Sequence, residues 1–277
     1  MAIKLIATDL DGTLMSADHL TVSPFTLDTL KKAHQLGVKL AIVTGRPHSL
    51  TDYVVNQIPF VDYVISANGA NVYDNNQNKI VYTNLIENKE AREIISYFLT
   101  QQVFFEVYIN GVSHYQLGFE KYFEDTEFPS DFVNQVKESM YPHEDLLKYL
   151  GNRGIEKITL YCLNDEDYPK YTAKFNEFDF ACAVSFKGSL EATNKTAHKG
   201  NALKGLSEIL NLTPDEVMSF GDAGNDIPML EYAHYSFAMQ NGTDECKKSA
   251  KFIAKSNADD GVAHEIVRYV LNNIKQK

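Results

Sequence analysis

The sequence predicts an α/β fold, a parallel-sheet core flanked by helices and interrupted by an inserted α+β domain. Three observations carry this reading. Short apolar runs at 3–8, 38–43, 63–65 and 217–220 alternate with helix-patterned stretches, the rhythm of parallel strands joined by crossover helices. Three of these runs end in a polar, glycine-containing turn: Asp9-Leu10-Asp11-Gly12-Thr13, Thr44-Gly45-Arg46 and Gly221-Asp222. Between about Leu85 and about Leu190 the texture changes to aromatic β-type runs separated by charged helical stretches.

The elements follow in chain order. After the first strand, Ser23-Pro24 forms a helix start, with serine as N-cap and proline at the first helical position. Leu27, Leu30 and Ala33 recur at helical spacing, and Gly37 closes the helix. The strand 38–43 is followed by a helix over 49–57 and a strand at 63–65. Within the insert, Phe104 to Ile109 and Ile158 to Tyr161 read as strands, and 87–101 as a helix. Asn110-Gly111 and Lys187-Gly188 mark hairpin turns. The α/β rhythm resumes near Lys199, with Leu203, Leu206 and Leu210 on one helical face, and ends in a helix over 261–273. The core then comprises 1–84 and 191–277, and the insert 85–190. An insert between two halves of a sheet is expected to act as a cap, with hinges near Asn84 and Glu191.

Parallel sheets place ligands beyond the carboxyl ends of their strands, where Asp9, Asp11, Thr44 and Asp222 all fall. Asp9 and Asp11 share one side of an extended strand end, and two crowded carboxylates repel unless a cation joins them. This pattern reads either as a hard-cation site with a carboxylate to spare or as an Asx turn closing a strand. Thr44 and Gly45 offer a hydroxyl and an approachable backbone N–H, as a phosphate requires. Arg46 either reaches an anion or starts the next helix in solvent, and the solvated or structural role is favoured. Lys199 at a helix start adds its charge to the N-terminal dipole. Asn225 and Asp226 either join the site or cap the following helix.

These segments, in this order, resemble the haloacid dehalogenase superfamily of phosphotransferases. Closer in, Ser66-Ala67-Asn68-Gly69-Ala70, the stretch from Asp222 to Leu230, and Asp260-Gly261-Val262-Ala263 are similar to its Cof-type branch. The resemblance implies a Rossmann-like core with a C2-type cap. It further implies that Asp9 is the nucleophile and Asp11 the general acid/base. Mg2+ would be held by the carboxylates of Asp9 and Asp222 and the backbone carbonyl of Asp11. Thr44, Gly45, Lys199, Asn225 and the Leu10 N–H would bind the phosphoryl group, and Asp226 would orient Lys199 or a metal-bound water. One departure is the approach to Lys199, 192–198, where the branch more often shows a glycine-valine-serine type sequence; Lys195 is a distant competitor for the lysine's role.

The implied function is a Mg2+-dependent phosphatase of small phosphorylated metabolites such as sugar phosphates. A phosphomutase and a non-catalytic metabolite sensor are the alternatives. The insert carries 18 acidic against 10 basic residues, with arginines only at Arg92 and Arg153, which disfavours holding the second phosphate that a mutase needs. A net charge of −11 argues against a nucleic-acid partner. The N-terminal apolar run is broken by acids, and no stretch is long enough to span a membrane, so a cytoplasmic protein is expected. Cys162, Cys182 and Cys246 lack metal-ligand spacing and read as buried free thiols. Oligomeric state leaves no mark in the sequence.

Overall fold

The computed structural model describes residues 2–16, 20–123, 138–161, 163–184 and 187–272. Its strands run in chain order as β1 (Leu5–Thr8), β2 (Lys39–Val43), β3 (Tyr63–Ser66), β4 (Asn71–Asp74), β5 (Lys79–Thr83), β6 (Phe104–Ile109) and β7 (Val112–Gln116). They continue as β8 (Met140–His143), β9 (Lys157–Tyr161), β10 (Ala181–Ala183), β11 (Leu190–Thr193), β12 (Val217–Gly221), β13 (Tyr235–Met239) and β14 (Phe252–Ala254). The chain divides into two compact units: Met1–Arg46, Thr51–Thr83 and His198–Lys277 form the first, and Pro47–Leu50 with Asn84–Ala197 the second.

The first unit holds a sheet in the order β14-β13-β12-β1-β2-β3-β4-β5. It is parallel from β14 to β3, and β4 and β5 add two antiparallel strands at one edge. Alternation along the strands sorts the core onto two faces. Ile6, Leu40, Ile42 and Phe220 pack with Leu30, Ala33, Val262 and Ile266. Leu5, Ala7, Ala41 and Val43 pack with Ala202, Leu203, Leu206 and Met229. Helices therefore cover both faces. The helix Pro24–Gln35 begins as its cap predicts, with the Thr26 N–H donating to Ser23 Oγ at 3.1 Å.

The second unit's sheet runs β10-β11-β9-β6-β7-β8, antiparallel throughout except between β7 and β8. Asn110 and Gly111, both at positive φ, turn β6 into β7. Helices Asn88–Phe98, Leu146–Leu150 and Asp167–Asn176 supply the buried side chains that cover one face of the sheet.

Several sequence readings need correction. The expected helix over 49–57 is a 3-10 turn, His48–Leu50, followed by a short helix, Asp52–Val55. Pro47–Leu50 leaves the first unit because the Ser49 N–H bonds the Gly111 carbonyl at 3.0 Å. The second unit extends past residue 190, since β11 pairs with both β9 and β10 and Asn194 bonds the Leu85 carbonyl. The last helix spans Gly261–Ile266 and continues as a wider turn over Val267–Leu271; Asn273, its expected end, lies outside the described residues. Cys246 is buried as expected, Cys182 is exposed, and Cys162 lies outside the described residues. No helix among the described residues is long and apolar enough to cross a membrane.

Candidate active site

Register sets the site. Thr8 lies level with Ile42 on β2 and with Phe220 on β12, so the chain leaves three neighbouring parallel strands at one edge. Asp9, Thr44 and Asp222 occupy these exits. The Asp9 N–H bonds the Phe220 carbonyl at 3.0 Å, and the Thr44 N–H bonds that of Ile65 at 2.8 Å. After Asp9 the backbone turns sharply. Gly12 sits at φ +80°, and a Cβ there would stand 2.5 Å from Asp222 Oδ2. Only glycine lets the Asp9 loop approach this closely. Thr13 Oγ1 donates to Asp222 Oδ1 at 2.9 Å, and Asn241 Nδ2 to the Gly12 carbonyl at 2.7 Å. Leu10 is buried in the apolar core, anchoring the turn from beneath.

Lys199 is 1% exposed, and its Nζ lies 2.6 Å from both Asp9 Oδ1 and Asp226 Oδ1. The second Asp226 oxygen accepts the N–H groups of Asp222 and Ala223 at 2.9 and 3.0 Å. Both oxygens of Asp226 are thus committed to holding its neighbours. The lysine reaches this depth because its helix, Lys199–Ile209, starts at the site and packs closely: a Cβ on Gly200 would stand 2.4 Å from the Pro228 carbonyl. Lys195, by contrast, is exposed in the second unit and pairs with Asp179 at 2.7 Å.

Burial pushes the Asp9 carboxyl up to about 8 against the pull of Lys199, with Asp226 and Asp222 adding to the rise. Burial likewise raises Asp222, while the Thr13 hydroxyl bond opposes the rise. Lys199 is raised because the two acids outweigh its own desolvation. Oxygens of Asp9, Asp222 and Asp226 all lie within 4.8 Å of one another. Three carboxylates therefore face one ammonium, an excess of negative charge that a divalent cation would balance. An all-oxygen donor set suits a hard cation such as Mg2+.

Asp11 points to a different partner. Arg46 grips it in two places, Nε to Oδ2 at 2.9 Å and Nη2 to Oδ1 at 2.6 Å. The Arg46 guanidinium also stands 5.3 Å from the Tyr53 ring centre. Arg46 is therefore an anchor for Asp11, the structural rather than the solvated form of the role expected for it. A fork fitted to a carboxylate offsets the partial burial of the guanidinium. Thr44 is buried, and its Oγ1 accepts the Arg46 N–H at 3.2 Å. Asn68 was not singled out in the sequence, although the Asn-Gly pair marks the turn that holds it at φ 57°. Its N–H bonds the Thr44 carbonyl at 3.1 Å, and its Oδ1 accepts Asn225 Nδ2 at 3.1 Å. A Cβ on Gly45 would lie 2.9 Å from that same Oδ1. Asn68 thus ties the Thr44-Gly45 turn to Asn225.

The arrangement joins an acid in contact with an ammonium, a second acid held by a guanidinium, a hydroxyl beside a glycine turn, and a carboxylate cluster fit for a cation. Such a set can bind a phosphoryl group and attack it. The haloacid dehalogenase-like hydrolase family model matches residues 6–266. A Streptococcus pyogenes serotype M6 protein, provisionally named a phosphatase, is 31% identical over 98% of this chain and 100% of its own length. A Bacillus subtilis relative named 5-amino-6-(5-phospho-D-ribitylamino)uracil phosphatase is 26% identical over 95% of this chain and 97% of its own. Among solved structures, a haloacid dehalogenase-like hydrolase from Bacteroides thetaiotaomicron superposes with a TM-score of 0.82 at 24% identity, covering 96% of this chain and 99% of that one.

Proposed function

The chain belongs to the haloacid dehalogenase-like hydrolases, and on that premise we propose that it is a Mg2+-dependent phosphatase of small phosphomonoesters. The observation that carries the reading is Asp9 itself, a buried carboxylate at a strand exit, 2.6 Å from the Lys199 ammonium and flanked by Asp222. Asp9 attacks phosphorus and forms an aspartyl-phosphate, and the alkoxide leaves. Asp11 protonates the leaving oxygen and then activates the water that frees the aspartate. The Arg46 fork sets the direction of that carboxylate. Thr44, the Gly45 and Leu10 N–H groups, Lys199 and Asn225 receive the phosphoryl oxygens, in a site where few waters compete. Asp226 fixes Lys199 from behind. Asp9, Asp222 and the Asp11 carbonyl would hold Mg2+. When bound, the cation supplies charge neutralisation at the nucleophile and at the phosphoryl oxygens.

Substrates are sugar phosphates or related metabolite esters. The Bacillus subtilis relative named for a phosphoribityl substrate supports testing phosphorylated sugar alcohols among them. The experiment is a phosphate-release screen over sugar, polyol, nucleotide and cofactor phosphates with Mg2+ and with chelator. Asp9→Asn keeps the shape of the site and removes the attacking charge, so turnover falls by about a thousandfold or more. Near-normal phosphate release by that variant would overturn the covalent route. Isomerised sugar phosphate appearing faster than free phosphate would replace the phosphatase with a mutase.

A further inference from the structure

A third loop of the first unit joins the two that carry the acids. After β13 the chain turns over 239–242, closed by the Gly242 N–H on the Met239 carbonyl at 2.9 Å. This turn sits against the Asp222 backbone. The Thr243 N–H donates to the Asp222 carbonyl at 2.8 Å, and a Cβ on Gly242 would stand 2.6 Å from that oxygen. The same turn reaches the Asp9 loop through Asn241, whose Nδ2 donates to the Gly12 carbonyl at 2.7 Å. Asn241 Oδ1 accepts the Asn257 N–H at 3.1 Å, and Asn257 Nδ2 donates to the Met15 carbonyl at 2.9 Å. Two carbonyls of one loop, those of Gly12 and Met15, are thus tied from outside by a pair of asparagines.

The partners fix the amide. A carbonyl only accepts and a backbone N–H only donates, so Nδ2 must face Gly12 and Oδ1 must face Asn257. Asparagine meets both demands, and an ionised aspartate, which only accepts, does not. The tie answers a physical need. Gly12 sits at φ +80° against Asp222, a place a side chain cannot share. The glycine that permits this approach also has more backbone freedom to lose than any other residue. A loop built on it keeps one conformation only where something outside holds it. Asn241 supplies that hold one peptide away from the Asp11 carbonyl.

We propose that Asn241, braced by Asn257, is a positioning residue that holds residues 9–13 in the conformation that receives the cation. It acts through Gly12, so that Asp9, the Asp11 carbonyl and Asp222 meet as one site. A site whose competent form is populated only in part binds more weakly by that fraction. The assignment rests on the Mg2+ reading of these acids and adds the side chain that aligns them.

The test is calorimetric titration of the full-length chain with Mg2+, beside amide hydrogen exchange of the metal-free chain. Asn241 is exposed, so removing its amide costs little packing. Asn241→Ala binds Mg2+ about threefold to tenfold more weakly, the weight of one lost hydrogen bond. Asn241→Asp keeps the shape and adds a negative charge, which by itself would tighten a cation. Weaker binding by this variant too therefore reports the lost donor. The Leu14 and Met15 N–H groups bond the Asp9 and Leu10 carbonyls at 3.2 and 3.0 Å. In the metal-free variants these two amides exchange about threefold to tenfold faster, while those of β1 and β2 keep their rates. Saturating Mg2+ brings the kcat of Asn241→Ala back towards that of the unmodified chain, because a population deficit yields to mass action. Unchanged Mg2+ affinity in Asn241→Ala, tighter binding by Asn241→Asp, or exchange that rises equally in β1 and β2 overturns the assignment and leaves the phosphatase reading standing. No Mg2+ binding by the unmodified chain overturns the cation reading and the assignment together.

Discussion

Asp226 accepts three hydrogen bonds, one from Lys199 and two from backbone N–H groups, while fully buried. Replacing it by alanine strands an ammonium and two N–H groups. Breaking a buried pair in this way typically costs about 3–5 kcal/mol, so Asp226→Ala lowers the urea midpoint of the first unit steeply. An unchanged midpoint would mean that Lys199 finds another acid, and the assigned role of Asp226 fails. Gly12 offers a subtler probe. At φ +80°, with Asp222 Oδ2 2.5 Å from a hypothetical Cβ, Gly12→Ala both strains the turn and pushes the Asp222 carboxylate aside. It is expected to weaken Mg2+ binding, measured by calorimetry, by tenfold or more, about 1.4 kcal/mol. Wild-type affinity in a folded variant would remove Asp222 from the cation site. Asp9 and Asp222 were legible in the sequence because each ends an apolar run in a glycine turn. Arg46 and Asn68 were not, since their partners Asp11 and Asn225 are 35 and 157 residues away and no local pattern encodes such pairings.

Among the elements, β7 and β8 carry a polar cluster of their own. His114 Nδ1 lies 2.9 Å from His143 Nε2, and the Tyr149 hydroxyl 3.4 Å from His114 Nε2. Burial, with the neighbouring His143 and Arg153 adding to it, pushes His114 down to about 4, and burial and Arg153 lower His143 also. The unfolded histidine takes its proton near 6.5. Between these two values the unfolded chain binds a proton that the folded chain refuses. Stability from this group is therefore complete above about 6.5 and drains away as pH falls towards 4. Urea midpoints at about pH 7 and about pH 5 compare the chain with His114→Gln. The variant is expected to lose less stability on acidification than the natural chain, and equal losses would contradict the lowered titration. The parallel β7–β8 pairing that creates this cluster escaped the sequence reading. Strand register across an insert is set by packing, whereas the Asn110-Gly111 hairpin was visible because two left-handed residues announce it. The end of the insert was misjudged for the same reason. Leu190 and Glu191 follow a turn, but only pairing with β9 and β10 shows that they still belong to the second unit's sheet.

At the scale of the whole chain, composition told the least and order told the most. A charge of −11 argues against a polyanion as a partner without naming a substrate, whereas the alternation of strands and helices located the core sheet and the strand exits that bear the candidate site. The division into two units makes the cation testable without turnover. Asp9, Asp11 and Asp222 all belong to the first unit. A ligand that binds only the folded form adds about 2.7 kcal/mol of stability at one hundred times its dissociation constant. For a unit of this size that corresponds to a rise of about 5–10 °C in Tm. Calorimetric unfolding with saturating Mg2+ should move the transition of the first unit upwards and leave that of the second in place. Asp222→Ala should abolish the shift, and Ca2+ should stabilise the fold while inhibiting phosphate release, because its larger and looser coordination shell disturbs in-line attack. A melting profile indifferent to Mg2+, or one in which Asp222→Ala keeps the full shift, would mean that the carboxylates of the first unit do not hold the cation.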